Sequence, residues 1–268
     1  MPTTKSAHLL LGVTVPNADA LGAPFRNDFT KPDIYGIDNC IGAYVFSGSQ
    51  ERSLINYADT TKPLTIIGKP TFDMRGATVS RGNCFNTGLL PTTGMTLAVL
   101  LENNTTLIQY GGAIISCLTP AADAGTAFQR GDQLAVGVAG DGAVAYFSDR
   151  GGSTQIYGLA AGLIMPPSTP AAIAISVDAN NLADGTIGKG GTNTNVTQRA
   201  GTGTNTRTLW TNPFLIGSNY DFGNATTQYS GKMRVKAVAI YNRAYSSSEI
   251  NSIINSLRTW AATVGYTI

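Results

Sequence analysis

Residues 232–260, KMRVKAVAIYNRAYSSSEINSIINSLRTW, change from one periodicity to another within a few positions, and few folds accommodate that pair. From Met233 to Tyr241 the apolar residues recur every second position. Met233, Val235, Ala237, Ala239 and Tyr241 fall on one face, and Arg234, Lys236, Val238 and Ile240 on the other. This predicts a strand with one wholly apolar face and one mixed face. Asn242-Arg243-Ala244 turns the chain. Ser246 and, three residues on, Glu249 have the spacing of a capping box, in which each side chain satisfies an orphan backbone N–H at a helix start. Ile250, Ile253, Ile254, Leu257 and Ala261 follow at helical spacing as one apolar stripe, with Gly265 as the stop. A long strand thus feeds an amphipathic helix that has to dock on something apolar.

The chain before it reads as short strands separated by turns. Residues 41–46, 64–67, 95–101, 113–118, 133–138, 143–147 and 171–177 have strand composition, and Gly140-Asp141-Gly142 is a hairpin signal. Residues 178–185 read as a turn between two inner strands. Residues 185–207, almost all Gly, Thr and Asn, read as a polar two-stranded ribbon. Many short strands and a single late helix predict an all-β, two-sheet antiparallel sandwich. The 268 residues suffice for one large β domain with a sizeable core.

Only 13% of the residues are charged, about half the usual quarter, so the surface is polar but mostly neutral. A net charge of +2 with no run of Lys or Arg argues against nucleic acid as the main partner. No apolar run approaches the roughly 20 residues needed to span a bilayer. Cys40, Cys84 and Cys117 are widely spaced and lack any C-x-x-C pair, which predicts buried free thiols rather than zinc ligands or a disulfide.

Residues 1–38 differ from the rest. A short apolar run, residues 9–15, precedes Pro16, Pro24 and Pro32 at even spacing. The run is near the minimum for a signal peptide ending at Ala18-Asp19-Ala20. The prolines favour instead an extended arm, since each blocks helix and removes a backbone donor. Such an arm predicts packing on another subunit and a homo-oligomer. The expected organisation is an assembly arm over residues 1–38 and one sandwich domain over residues 39–268.

Tyr241-Asn242-Arg243-Ala244-Tyr245-Ser246 with Glu249-Ile250 resembles the last strand and C-terminal helix of laminin-G-like, concanavalin A-like jelly-roll domains. Tyr245 stands where Leu is usual. Leu215-Ile216-Gly217 and Gly231-Lys232 fit the same pattern. Residues 41–46 followed by Asn56-Tyr57-Ala58-Asp59 resemble the family's opening strand and turn, and residues 66–72 its next strand. The resemblance covers residues 39–268. It implies the fold and leaves the function open, because lectins, glycosidases and structural modules share it.

Catalytic chemistry finds few candidates. The one histidine, His8, lies in the arm, so the sandwich holds no Ser-His-Asp or Cys-His arrangement. Glycosidases of this fold, the resemblance implies, place paired carboxylates on one strand face. The three glutamates here, Glu51, Glu102 and Glu249, are far apart in sequence. Asp141 and Asp149 read as turn residues. Gly188-Lys189-Gly190-Gly191-Thr192 lacks phosphate-loop spacing. No enzyme and no cofactor are expected. Ca²⁺ is the one ion the resemblance brings, through Asp178, Asn180, Asn181 or Asp221.

Trp210, Phe214, Tyr220 and Phe222 cluster with Asn212, Asn219, Asp221 and Asn224. Sugars are held by an aromatic face under the ring and by amides or carboxylates on the hydroxyls. Trp210, Asn212, Asn219, Tyr220 and Asp221 are therefore the candidate glycan-binding residues. The competing reading makes Phe214 and Ile216 core strand residues and the remainder a loop. Single jelly rolls with an arm and a Thr/Asn/Gly-rich surface resemble bacteriophage virion proteins. That resemblance implies a tail fibre, tail tip or baseplate component that attaches to a host glycan, located in the virion and partnered by other virion subunits. The alternatives are a capsid decoration protein, a secreted carbohydrate-binding module and a glycan depolymerase.

Overall fold

The computed structural model describes residues 32–103, 112–119, 130–136, 144–150, 153–158, 168–180, 182–199, 207–220 and 231–268. Its strands are β1 (Cys40–Val45), β2 (Thr65–Ile67), β3 (Thr71–Asp73), β4 (Gly76–Val79), β5 (Cys84–Asn86), β6 (Met95–Asn103), β7 (Gly112–Ser116), β8 (Gln133–Val136), β9 (Val144–Arg150), β10 (Ser153–Gly158), β11 (Pro170–Val177), β12 (Leu182–Lys189), β13 (Thr192–Arg199), β14 (Leu215–Ile216) and β15 (Met233–Tyr241). A one-turn helix, α1 (Gln50–Ser53), follows β1, and α2 (Ser247–Thr263) follows β15.

Among the described residues these strands form two antiparallel sheets. One has eight strands in the order β13-β12-β11-β6-β15-β4-β3, with β1 added along β15; the other has seven, β10-β9-β8-β7-β14-β5-β2. Between them lies a core that includes Phe46, Phe85, Leu97, Val99, Ile115, Tyr146, Ile173, Ile216 and Val238. The predicted sandwich and its single long C-terminal helix are both present.

The outer face of the eight-stranded sheet is a floor of small residues. Ala98, Ala172, Ala174, Ala237 and Ala239 are buried there with Leu100. On this floor α2 lays Ile250, Ile253, Ile254, Leu257, Trp260 and Ala261, all buried. Gly188 of β12 belongs to the same contact, since a Cβ there would lie 2.6 Å from Ile254 Cγ2. The capping box is formed: Glu249 N donates to Ser246 Oγ, and Ser246 N donates to Glu249 Oε2 at 2.8 Å. That backbone hydrogen bond, with help from the Ser246 hydroxyl and Arg243, holds the Glu249 carboxyl below its usual range. Leu257→Ala should cost about 2–5 kcal/mol, as deletion of buried methyl groups does. Ser246→Ala should cost about 1 kcal/mol. Because the folded carboxyl is depressed, the cap's share is present at neutral pH and is lost as pH falls through the folded Glu249 value. Urea unfolding followed by circular dichroism at two pH values checks all three.

The single apolar face predicted for β15 is corrected. Pairing with β6 passes from Val235↔Leu101 to Ala237↔Leu100, so Lys236 is an extra residue, a β-bulge. Met233 and Val235 point into the inter-sheet core. Beyond the bulge Val238 and Ile240 do so, while Ala237, Ala239 and Tyr241 turn outward to α2. The bulge sits where the other edge of β15 changes partner, from β4 (Val235↔Ala77) to β1 (Val45↔Ala237). Lys236 is buried; its Nζ donates to Met74 O at 3.0 Å and its carbonyl accepts from Phe46 N at 2.9 Å.

Three smaller readings also change. Residues 66–72 do not make one strand: Gly68, at φ +67°, separates β2 in one sheet from β3 in the other. The polar ribbon is the β12–β13 hairpin, which begins earlier than expected. Gly190 and Gly191, both at positive φ, form its two-residue turn, so the phosphate-loop-like residues are a hairpin tip. The three thiols are free, but Cys40 is only half-buried. Burial pushes the Cys40 and Cys84 thiols up to about 12, which makes them unreactive near neutrality.

The end of the predicted arm is docked on the sandwich. Asp33–Gly36 forms a 3₁₀ turn, and Ile34 is buried in the α2 layer. Tyr241 Oη donates to Ile34 O at 2.9 Å, and Tyr245 Oη donates to Asp38 O. Residues 1–31 lie outside the described residues, as does the Gly140–Gly142 connection between the paired strands β8 and β9.

Candidate functional site

At one rim of the sandwich the end of β7, the lead into β8 and residues 207–220 meet. Cys117 N donates to Asp132 O at 2.8 Å, and Thr119 and Arg130 exchange backbone hydrogen bonds of 2.7 and 3.0 Å. This short ladder presents the Thr119 hydroxyl to the crossing segment. Trp210 Nε1 donates to Thr119 Oγ1 at 3.0 Å and Asn212 Nδ2 to the same oxygen at 2.6 Å. Tyr220 N donates to Leu118 O at 3.0 Å, and Tyr220 Oη donates to Pro213 O at 2.9 Å. Trp210, Asn212 and Tyr220 are each half-buried, polar ends anchored and ring or amide flanks at the surface.

Buried charge holds this segment in place. The Arg207 guanidinium grips Asp132 with two contacts, Nη2–Oδ2 at 2.7 Å and Nε–Oδ1 at 3.0 Å, with both side chains fully buried. It also donates to Thr93 O at 3.1 Å, to Thr92 O and to Met95 Sδ at 3.0 Å. Tyr146 Oη donates to Asp132 Oδ1 at 2.6 Å. Burial alone would lower the Arg207 pKa, but the Asp132 carboxylate more than offsets it and the guanidinium stays charged. Because Asp132 leads into the seven-stranded sheet and Met95 opens β6 of the other, the pair ties residue 207 to both layers. One residue on, Thr208 N donates to Asp149 O at 3.0 Å, and Asp149 accepts from Arg130 Nη1 at 2.9 and 3.0 Å. At the far end Phe214 N donates to Leu89 O at 2.8 Å. Residues 209–212 therefore stand out between two fixed points, with Leu209 and Thr211 exposed.

The candidate residues divide. Trp210, Asn212 and Tyr220 come together around Thr119. Asn219 is only 4% exposed, below the surface, where its carbonyl accepts from Ser218 Oγ at 3.0 Å. Asp221, Phe222 and Asn224 lie outside the described residues. Phe214 and Ile216 are core residues. Thr119, Arg130 and Arg207 were not singled out from the sequence. A lone Thr at a strand end and lone arginines in polar runs carry no local signal, because their partners are distant in sequence.

The carboxylates here are committed to structure. Asp149, expected in a turn, is a fully buried β9 residue paired with Arg130. Glu102 is buried against Arg75 at 2.7 Å and Arg234 at 3.3 Å. Asp178 Oδ1 accepts from Asn180 N at 2.8 Å, which closes a turn; Asn181 and Asp141 lie outside the described residues. Among the described residues no group of three His, Cys, Asp or Glu side chains is placed to hold a metal ion, and no helix is long and apolar enough to cross a membrane.

Solved structures share this architecture. The botulinum neurotoxin serotype G binding domain superposes with a TM-score of 0.55 at 13% identity, over 82% of this chain and 52% of that one. The fold is a jelly-roll β-sandwich. The binding domain of Paraclostridial Mosquitocidal Protein 1 matches similarly, with a TM-score of 0.56 at 12% identity, 82% of this chain and 52% of that one. So does the botulinum neurotoxin serotype D ligand binding domain in complex with N-acetylneuraminic acid, at 0.54 and 10%, with the same coverage. The jelly roll thus spans about half the length of the structures it matches, and at these identities the likeness is one of fold. No protein-family model and no curated protein matches the sequence.

Proposed function

We propose that this jelly roll is a non-catalytic attachment domain that binds a host-surface glycan and is carried on a bacteriophage particle as a tail fibre, tail tip or baseplate component. The observation that carries the glycan reading is the convergence of the Trp210 indole and the Asn212 amide on one hydroxyl, Thr119 Oγ1, on a segment pinned at both ends. A ring held by its N–H is pre-oriented to stack on a sugar, and a neighbouring amide fixed by one N–H keeps other donor and acceptor sites for sugar hydroxyls. Tyr220 adds a second ring beside them. The structural neighbours support a binding role: they are binding domains, one of them in complex with a sugar acid. The virion setting rests on the arm and the neutral Thr/Asn/Gly-rich surface. In it, the N-terminal arm expected over residues 1–38 would join other virion subunits and make the protein a homo-oligomer. The commitment of Asp132, Asp149 and Glu102 to arginines favours binding over depolymerisation.

Trp210→Ala should weaken binding of the intact protein to bacterial surface polysaccharide about tenfold, the loss expected of one stacking aromatic. Its unfolding midpoint should fall only modestly, since the indole is half exposed. Surface plasmon resonance on immobilised polysaccharide, with thermal unfolding alongside, makes the comparison. Unchanged binding by a folded variant removes Trp210 from the site.

A further inference from the structure

Along one flank of α2, the helix, the 3₁₀ turn Asp33–Gly36 and Tyr57 line an open groove of about 1070 Å³, roomy enough for a small ligand. We propose that this groove is a second saccharide site, specific for neutral pyranosides, distinct from the rim at Trp210. The inference goes beyond the rim reading and takes its ligand from the groove's own lining.

Tyr35 and Tyr57 supply the aromatic surface, their planes within 12° of parallel and their centroids 6.4 Å apart. Both are held from behind. Tyr35 Oη donates to Tyr44 O, so its hydroxyl end is buried while its ring is half exposed. Tyr57 N donates to Ala43 O at 2.8 Å, next to Asn56, whose side chain accepts from Ala43 N at 3.0 Å and donates to Ile41 O at 3.1 Å. The Tyr35 ring, tied at its hydroxyl, and Tyr57, tied at its backbone, lose little freedom on binding a ligand. Trp260, 6% exposed, also lines the groove.

The polar lining suits hydroxyl groups. Asn255 and Thr259 are exposed one turn apart on α2. Thr259 Oγ1 spends its proton on Asn255 O at 3.0 Å and so faces a ligand as an acceptor. The Asn255 amide is oriented by Asn193, whose Nδ2 donates to its Oδ1 at 2.9 Å. Asp33, exposed at the other wall, offers a carboxylate. Among the described residues no Lys or Arg lines the groove; nearby Arg258 points to β13, where it donates to Thr192 O at 2.6 Å, and Arg52 lies close enough to act on the Tyr57 hydroxyl. With Asp33 the one charged side chain in the described lining, an anionic ligand is disfavoured there, whereas a neutral ring with hydroxyls finds both stacking and hydrogen bonds.

The two tryptophans, Trp210 and Trp260, make the sites separable. In Trp210→Phe protein the remaining indole reports on the groove; in Trp260→Phe protein it reports on the rim. Each intact chain is titrated with methyl β-galactopyranoside, methyl α-glucopyranoside, methyl N-acetyl-β-glucosaminide and N-acetylneuraminic acid to about 50 mM, the range in which so small a ligand binds. The expected result is a saturable change in Trp260 emission with at least one neutral glycoside and none with N-acetylneuraminic acid. Adding Tyr57→Ala should weaken that response about tenfold. Adding Thr259→Val, an exposed and nearly isosteric change that leaves the fold intact, should weaken it about fivefold. Trp260 emission that no neutral glycoside alters overturns the proposal, as does a response indifferent to Thr259→Val and Tyr57→Ala. An emission change that follows protein concentration instead of sugar also overturns it, by showing a second copy in the groove. Failure at Trp210 with success at Trp260 would remove the rim and leave the groove standing.

Discussion

Deleting Lys236 should leave the fold intact but destabilise it by about 2–6 kcal/mol. Met233 and Val235 enter the inter-sheet core before the bulge, and Val238 and Ile240 after it. With the extra residue removed, Val235 joins Ala237 directly and the side chains alternate regularly. Met233, Val235, Val238 and Ile240 stay on the core face, and Ala237 and Ala239 on the α2 face. The loss is that of the bulge's own hydrogen bonds: the Met74 carbonyl loses the Lys236 ammonium, and the Phe46 N–H loses the Lys236 carbonyl. Each costs about 1–3 kcal/mol. Lys236→Met keeps the bulge and should cost about 1–3 kcal/mol, for the Met74 carbonyl alone. Equilibrium urea unfolding distinguishes the two variants. A deletion variant that does not fold would show that β15 needs the bulge to change partner from β4 to β1.

Arg207→Ala should destabilise by about 3–5 kcal/mol, the cost of leaving Asp132 buried and unpaired. The double variant Arg207→Met/Asp132→Leu should recover a large part of this loss, because two apolar groups of similar size do not strand a charge. It should still bind polysaccharide poorly, since residues 208–212 would lose one of their two fixed ends. Equilibrium urea unfolding of the three proteins gives the stabilities, and the binding assay used for Trp210→Ala gives the second readout. A single variant within about 1 kcal/mol of the parent would mean that the pair is not what secures the rim segment.

The sequence is most legible where one physical rule acts alone. The α2 stripe, its cap at Ser246 and the position of β15 follow from local periodicity and backbone satisfaction. The phase of β15 does not, because both faces of its C-terminal half are covered and the alternation reads equally well either way. Short strands fail for a related reason: β3, β4 and β5 hold three or four residues each, too few for periodicity to emerge. At the rim, aromatic and amide composition marked Trp210, Asn212 and Tyr220, but Thr119, about ninety positions away, could be found only through the strand pairing that brings it there. Asp149 was misplaced because a Gly pair follows it; the strand carries it inside, where Arg130 waits. In the groove, Tyr57 reads in sequence as part of a turn motif, whereas its pairing with Tyr35 depends on how residues 32–37 fold back over the helix.

A glycan array probed with the intact, fluorescently labelled protein tests the attachment role most directly. Saturable retention on a subset of bacterial surface polysaccharides is expected, with mass spectrometry finding the retained glycans at full length. Retention on no glycan at all, or the release of shortened chains from those that are bound, would contradict it.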